Sequence, residues 1–425
     1  MKIAVIGTGI AGNVAAWHLS RDHDITVYEA NDYVGGHTHT HRVEVEGRVL
    51  DVDSGFIVFN DRTYPNFIRL LDELGVDRQK TEMSFSMHAE ATGFEYSGSN
   101  LDTLFAQRRN LLNPAFYRLL ADILRFNREA QGLLASDDSA LTLGEFLRDG
   151  RYGEGFTRHY ILPMGAAIWS TSLDLMLDFP ATFFARFFHN HGLLSINDRP
   201  QWYVVKGGSR AYVEAMTRRY RERIRLSSPV TRVRRFADRV EVEANGQLDT
   251  YQAVFFACHS DQALAMIDDA TALEKAVLGA FPYQRNSALL HSGTELLPDR
   301  PRAWASWNYR LPRDDAGKAT LTYYMNRLQS LPCREHLCVT LNNDAAVPAD
   351  KVIAAMSYDH PLFTRASVAA QARQVEINGL RRSFFCGAYW RNGFHEDGVV
   401  SALNALDHFR LWEESIGYLP LHRTG

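Results

Sequence analysis

The stretch GTGIAG spaces Gly7, Gly9 and Gly12 as G-x-G-x-x-G, and it follows directly on the apolar run KIAVI. A buried strand that breaks into a glycine-rich turn and then opens a helix is built to hold a diphosphate. Gly7 permits the tight turn, Gly9 lets backbone amides approach the phosphates, and Gly12 lets the helix pack on the strand. Ile10 and Ala11 would begin that helix, NVAAWHLSR would continue it, and DITVYEA would be a second strand running out at Glu29 and Ala30. Glu29 stands about 20 residues beyond the turn, where a carboxylate accepts hydrogen bonds from a ribose diol. Strand, turn, helix, second strand and acid are all in place, so the opening reads as a dinucleotide site.

A second chemical candidate follows at once. VGGHTHTH, residues 34 to 41, alternates three histidines with threonines. Side chains at i, i+2 and i+4 of an extended strand share a face, so His37, His39 and His41 could offer three imidazoles to zinc. They could equally line a partly exposed strand, with His37 beside the cofactor. No metal is assigned.

An acid, a short spacer and a double glycine followed by a basic residue (Glu29, then Gly35, Gly36 and His37) resemble the flavin amine oxidase superfamily. Protoporphyrinogen oxidases and carotenoid desaturases belong to the same group. The resemblance implies FAD, with the Gly35–Thr38 segment passing close to its diphosphate. The family usually has arginine where this chain has His37, and a neutral imidazole brings no full charge to a phosphate.

Further stretches match the same superfamily. DVDSGFIVFN would bring Gly55 and Phe56 near the flavin ring. KGGSRAYV returns towards the cofactor, and RIRLSSPVTRVRR looks like the strand that meets the adenine, with Val230 the matching residue. FFCGAYWRNGFHEDG would close over the flavin, with a strand ending at Gly387 and a helix from about Asp397. Phe394 and His395 would then lie beside the isoalloxazine, and amides after Glu396 would face developing charge at its N1/O2 edge. The acid often found after the strand's glycine is missing here, where Ala388 and Tyr389 stand.

Elements must carry these motifs across a long chain. With 425 residues, two structural units are expected. The reading is α/β: a Rossmann-like FAD-binding domain of the two-dinucleotide-binding type from 1–76, 196–264 and 376–425, with an inserted α+β substrate domain from 77–195 and 265–375. Residues 77 to about 195 look mostly helical. YPNFIRLLDELGV and NPAFYRLLADILRFNREAQGLL are amphipathic, the latter with Phe116, Leu119, Leu120, Ile123, Leu124 and Phe126 on one face. FPATFFARFFHNHGLL is dense in phenylalanine, and such a run is either core or a lipid-facing surface. Trp304, Trp307, Tyr309, Tyr323 and Tyr324 could line an aromatic cavity.

Composition excludes some classes. Lys plus Arg is 46 against 50 for Asp plus Glu, a net charge of -4, so nothing points to nucleic acid. The scattered Cys258, Cys333, Cys338 and Cys386 suit a reducing, cytoplasmic setting. No signal peptide is expected, and peripheral contact with the inner membrane face stays open.

GFHEDG, RAWASWNYR and DSGFIVFN narrow the resemblance. They look like bacterial predicted NAD/FAD-binding proteins similar to the oxidase-like N-terminal region of plant cyclopropane fatty acid synthases. That implies an apolar small-molecule or lipid substrate, namely dehydrogenation of an unsaturated or methylated fatty acyl chain, and a lipid-modifying enzyme as partner. His395 is then the candidate general base. Three alternatives remain: an amine oxidase, a catalytically idle flavoprotein partner of a lipid methyltransferase, and a redox-neutral isomerase. Amine oxidases usually place a lysine near the flavin, and only Lys206 lies near a matched motif.

Overall fold

Ile3, Ala4 and Val5 expose no surface, so the first strand is covered on both faces, as the centre of a parallel sheet must be. The computed structural model describes residues 1–135, 141–195, 197–313 and 317–417. In it β1 (Lys2–Ile6) lies between β2 (Asp24–Tyr28) and β14 (Ala253–Phe256), all parallel. With β10 (Ile224–Arg225) and β20 (Ser383–Phe385) at the edges, the order is β10-β2-β1-β14-β20. The chain leaves β1 towards β2 on one side, while β14 comes from far along the sequence on the other. That reversal opens a crevice at the carboxyl end of β1, where ligands of such sheets bind.

The sheet is the middle of three layers. The helices Ile10–Leu19, Arg210–Thr217 and His395–Gly417 cover one face through Val14, Tyr212, Val399 and Leu406. A three-stranded sheet of β11 (Val230–Arg235), β12 (Val240–Ala244) and β13 (Gln247–Tyr251) covers the other through Val233, Val240 and Val242. Asn245 and Gly246, both at positive φ, make the turn between β12 and β13.

A larger mixed sheet stands apart. Its order is β19 (Val352–Pro361), β15 (Tyr283–Ser292), β18 (Leu337–Leu341), β17 (Thr320–Tyr324), β16 (Trp307–Leu311), β7 (Phe85–Ala89) and β8 (Phe94–Ser97). The helices Pro114–Glu129, Leu162–Trp169 and Ala181–Asn190 pack over its β7–β8–β16 end. Phe116, Leu119 and Phe126 are buried there as the pattern predicts, but Leu124 is 55% exposed. Phe179, Phe184, Phe187 and Phe188 are also buried, so the phenylalanine-dense segment is mainly core.

Two small sheets link these bodies. One is the hairpin of β3 (Thr40–Val45) and β4 (Arg48–Asp53), turning at Glu46-Gly47. The other is β5 (Val58–Asn60), β9 (Trp202–Val205) and β6 (Arg78–Thr81), with β9 in the middle. The segment after residue 77 is therefore not helical at first: it supplies β6, β7 and β8 before the helices begin. β6 pairs with β9, which carries that ladder past residue 76 to Thr81. Among the described residues no helix is long and apolar enough to cross a membrane.

The crevice depends on one close packing. A Cβ on Gly12 would collide with the Gly7 carbonyl, and neither that backbone nor the Ala257 methyl beside it can swing away. Gly12→Ala should cost about 1–3 kcal/mol and push the first helix off the turn. The expected result is a lowered melting temperature together with loss of flavin on purification. A variant that melts and retains flavin like the parent would refute that packing argument.

Candidate functional site

The crevice is floored by the turn Gly7–Gly9. The Gly7 amide donates to the Tyr28 carbonyl at 2.8 Å, fixing the turn to the neighbouring strand. Gly9 precedes the first helix without a side-chain cap, and a Cβ on Gly9 would meet nothing within 4 Å. Free helix amides facing open space suit an anion. Ile10 and Ala11 open the helix, and Ile10 packs under Gly398. Gly36 approaches from above: a Cβ there would lie 3.1 Å from the Gly9 Cα. The two glycine-rich segments thus frame one slot.

Glu29 is buried at the end of β2, but its carboxylate is already engaged. Oε2 accepts from the amide and hydroxyl of Thr8, and Oε1 accepts from the amide and side-chain nitrogen of Asn31. Those four donors match the acceptor capacity of a carboxylate. A ribose hydroxyl would have to replace one of them. Ala30 is exposed beside it. The Ser228 amide donates to the Glu29 carbonyl at 2.8 Å, so the segment leading to Val230 runs along this edge.

The histidines separate. His41 lies within β3 but His37 and His39 precede it, so they do not share one strand face. His39 stacks on Tyr33 and sits 4.1 Å from the His41 ring. His37 turns instead towards His360 and His259, at 5.5 and 6.0 Å between rings, and its Nε2 is sealed without a partner among the described residues. Burial and these neighbouring imidazoles hold the His37 pKa well below the ordinary value. As a neutral ring it does not replace an arginine's charge at a phosphate.

The carboxyl-terminal motif comes to the same place. Its helix starts at His395, two residues before the sequence expectation. His395 Nε2 bonds the Tyr212 hydroxyl at 2.7 Å and Thr38 Oγ1 at 3.0 Å, while those two hydroxyls bond each other at 2.6 Å. The ring stacks on Phe56 with 3.4 Å between centroids. Gly55 backs directly onto the His37 carbonyl, and the Phe56 amide donates to it at 2.8 Å. Gly387 is held by its amide donating to Ser401 Oγ at 2.9 Å. Glu396 points away from the crevice and caps the helix Pro65–Leu74, accepting from the amides of Asn66 and Phe67.

Tyr212 and Asp53 were not singled out from sequence. Asp53 is fully buried and gathers Thr40 Oγ1, the Ser209 amide and hydroxyl, and Gln329 Nε2. It ties the β3–β4 hairpin to the double-glycine loop before the helix Arg210–Thr217. Burial raises its pKa to about 7 against the pull of those donors. Its place in an acid-x-Gly run was visible; its partners were not. Tyr212 gave no spacing signal.

Phe394 marks the boundary between the crevice and two cavities. A chamber of about 320 Å³ is lined by Tyr96, Tyr160, Met164, Phe187, Trp307 and Phe394. A more polar vestibule of about 570 Å³ shares Tyr64, His191 and Phe394 with it. Of the five aromatic residues expected in the substrate region, only Trp307 reaches the chamber. Tyr309 is buried in the core, Tyr323 packs edge-on to Trp307, and Trp304 and Tyr324 gather round His336. Tyr309 and Tyr323 share the face of Trp307, so packing rather than strand alternation keeps them out of the chamber. Lys206 is remote from the chamber, exposed and 3.7 Å from Asp77.

Burial lowers the His395 pKa to about 3, so the ring is neutral at pH 7. The unfolded ring takes up a proton near pH 6.5 and the folded one does not. His395 therefore contributes stability that is present above pH 6.5 and is lost as pH falls towards 3. His395→Gln removes this contribution. The stability gap between parent and variant should narrow by about 1.4 kcal/mol per pH unit below 6.5. Denaturant titrations at pH 7, 6 and 5 measure it, and a constant gap would contradict the lowered pKa.

A family model of flavin containing amine oxidoreductases matches residues 10–293, well over half of the chain. A flavin-dependent L-tryptophan oxidase from Lentzea aerocolonigenes is 46% identical over 55 residues, 13% of this chain and 12% of that protein. The chain thus spans only about an eighth of that relative's length. Similar solved structures cover nearly everything. Cyclohexylamine oxidase from Brevibacterium oxydans superposes with a TM-score of 0.71 at 16% identity, over 97% of this chain and 99% of that one. A fatty acid isomerase from P. acnes gives 0.68 at 17%, over 96% and 98%. Strand order, glycine slot and family match agree: the chain belongs to the flavin-containing amine oxidoreductases.

Proposed function

We propose that this enzyme oxidises or rearranges an apolar substrate, with an unsaturated or methylated fatty acyl chain as the leading class. The observation that carries this reading is the aromatic chamber ending at Phe394, one residue from His395. Apolar walls reward burial of hydrocarbon at about 25 cal/mol per Å². Glu82 and Arg199 also line the chamber, and Glu82 is already 3.3 Å from Arg327, so a protonated amine would have to compete with a guanidinium for that carboxylate. One fold relative, the P. acnes protein, is itself a fatty acid isomerase, which suits this reading.

FAD would be held by the slot between Gly7–Gly12 and Gly35–Gly36, with Gly55, Phe56, Gly387 and the amides at His395 at the ring end. When bound there it supplies hydride and electron acceptance. The chain's own part is placement and exclusion of water. His395 is proposed as a positioning residue that holds Thr38 and Tyr212. Its low pKa and engaged Nε2 set it apart from a base tuned near neutral pH. A lipid would arrive from a surface, and the exposed Leu111, Leu112 and Tyr117 beside Arg118 suit the margin of an anionic bilayer.

Amine oxidation is the second reading, favoured by the family and by the cyclohexylamine oxidase fold. The test is an anaerobic titration of the flavin-loaded protein with acyl lipids in anionic vesicles and, separately, with amines. Bleaching by a lipid, or double-bond movement without bleaching, supports the first reading. Bleaching by amines alone, with hydrogen peroxide released when oxygen is readmitted, replaces it by the second. Met164→Trp, which fills the chamber, should lower kcat/KM at least about tenfold, since a lost methylene-scale fit is worth 10–200-fold. Flavin content should be unchanged.

A further inference from the structure

The HTHTH stretch raises the question of a metal, and the fold supplies a different set of ligands. His88 on β7 and Glu95 on β8 are paired across the hairpin and lie on one face. They face away from Met87 and Tyr96, which enter the helical core. Asp299 comes to the same spot from the segment after β15. A nitrogen of His88 and one oxygen each of Glu95 and Asp299 lie within 4.8 Å of one another. Among the described residues this is the one such group.

Two of the three side chains are short of partners. His88 is 5% exposed and Glu95 0%, yet His88 Nδ1 and Glu95 Oε2 are sealed from solvent and bond nothing among the described residues. Buried polar atoms are nearly always satisfied, and each exception needs an explanation. Arg300 accounts for only half of Glu95, donating to Oε1. Asp299 sits between two anchored neighbours: the Trp304 indole donates to the Pro298 carbonyl at 2.8 Å, and Arg300 holds Glu95.

The geometry points to a divalent-cation site formed by His88, Glu95 and Asp299. One imidazole and two carboxylates suit a borderline first-row ion such as zinc. Two carboxylates and one guanidinium leave the group at about -1, so a divalent ion is attracted. Ligand atoms about 2.1 Å from a tetrahedral ion stand roughly 3.4 Å apart. Closing the set from its present spread requires the exposed Asp299 to swing inward by about an ångström, with water completing the shell. The ion would fasten the β7–β8 hairpin to the 298–303 segment. Phe85 and Tyr96 on that hairpin line the chamber, so the site would stiffen the chamber wall.

The test is calorimetric titration of chelator-treated, flavin-loaded protein with zinc chloride. One saturable site per chain is expected. Asp299→Ala, a change at an exposed position, and His88→Asn should each weaken binding at least about tenfold, since even outer ligands count for that much. Cobalt(II) should give ligand-field bands to the red of flavin absorption in the parent and lose them in Asp299→Ala. His41→Ala should change nothing. Absence of saturable binding, binding indifferent to both Asp299→Ala and His88→Asn, or loss only in His41→Ala would each overturn the site.

Discussion

The Glu29 carboxylate is the constraint on which the cofactor half of the molecule rests. It is buried at the tip of β2 and forms no ion pair among the described residues, so hydrogen bonds stabilise it there. Thr8 supplies two donors and Asn31 two more. Thr8 belongs to the glycine turn and Asn31 to the loop that leads to Gly35 and Gly36. One carboxylate therefore sets the spacing between the two walls of the slot. The Gly35 amide completes the link by donating to Thr8 Oγ1 at 3.2 Å.

A second cluster does for the ring end what Glu29 does for the phosphate end. Thr38, Tyr212 and His395 come from the amino-terminal loop, the middle of the chain and the carboxyl-terminal helix. Their three polar groups satisfy one another inside a shell of Phe56 and Phe67. Asp53 repeats the device one layer out, joining Thr40, Ser209 and Gln329. Each cluster is fully buried and drawn from distant parts of the sequence. Folding must therefore bring all three segments together before any of the polar groups is satisfied, which makes the site cooperative with the fold.

Legibility in the sequence followed the range of the interaction. The β1–turn–helix–β2 unit is local, and its residues stood where glycine spacing and apolar runs predicted. The double glycine and the carboxyl-terminal motif were readable as family motifs, although their neighbours in space, Gly9 for Gly36 and Thr38, Phe56 and Tyr212 for His395, are distant in sequence. Glu29 was found, but the four donors that hold it within the chain were not, because they are invisible in spacing. Tyr212 meets His395 across 183 positions, and nothing in SRAYVEA marks a tyrosine with a distant partner. The HTHTH stretch, to which no metal was assigned, departs from a single strand face for a specific reason. The period-2 argument assumes one strand, but Gly35 and Gly36 take positive φ and the chain enters β3 only at Thr40.

The aromatic strands show the same limit from the packing side. Alternation shows which residues share a face but not which face is covered. In the seven-stranded sheet Trp307 and Tyr309 share a parity and still differ: one reaches the chamber, the other sinks into the helical core. What separates them is the position along β16 at which the helices Leu162–Trp169 and Ala181–Asn190 cross, a feature set by tertiary packing. The chamber is thus a gap left where Met164, Phe187 and Phe394 fail to close over the sheet. It is mainly apolar because the core around it is apolar, with Glu82 and Arg199 the charged residues in its wall. Its proposed chemistry rests on Phe394, the lining residue next to His395 in the chain.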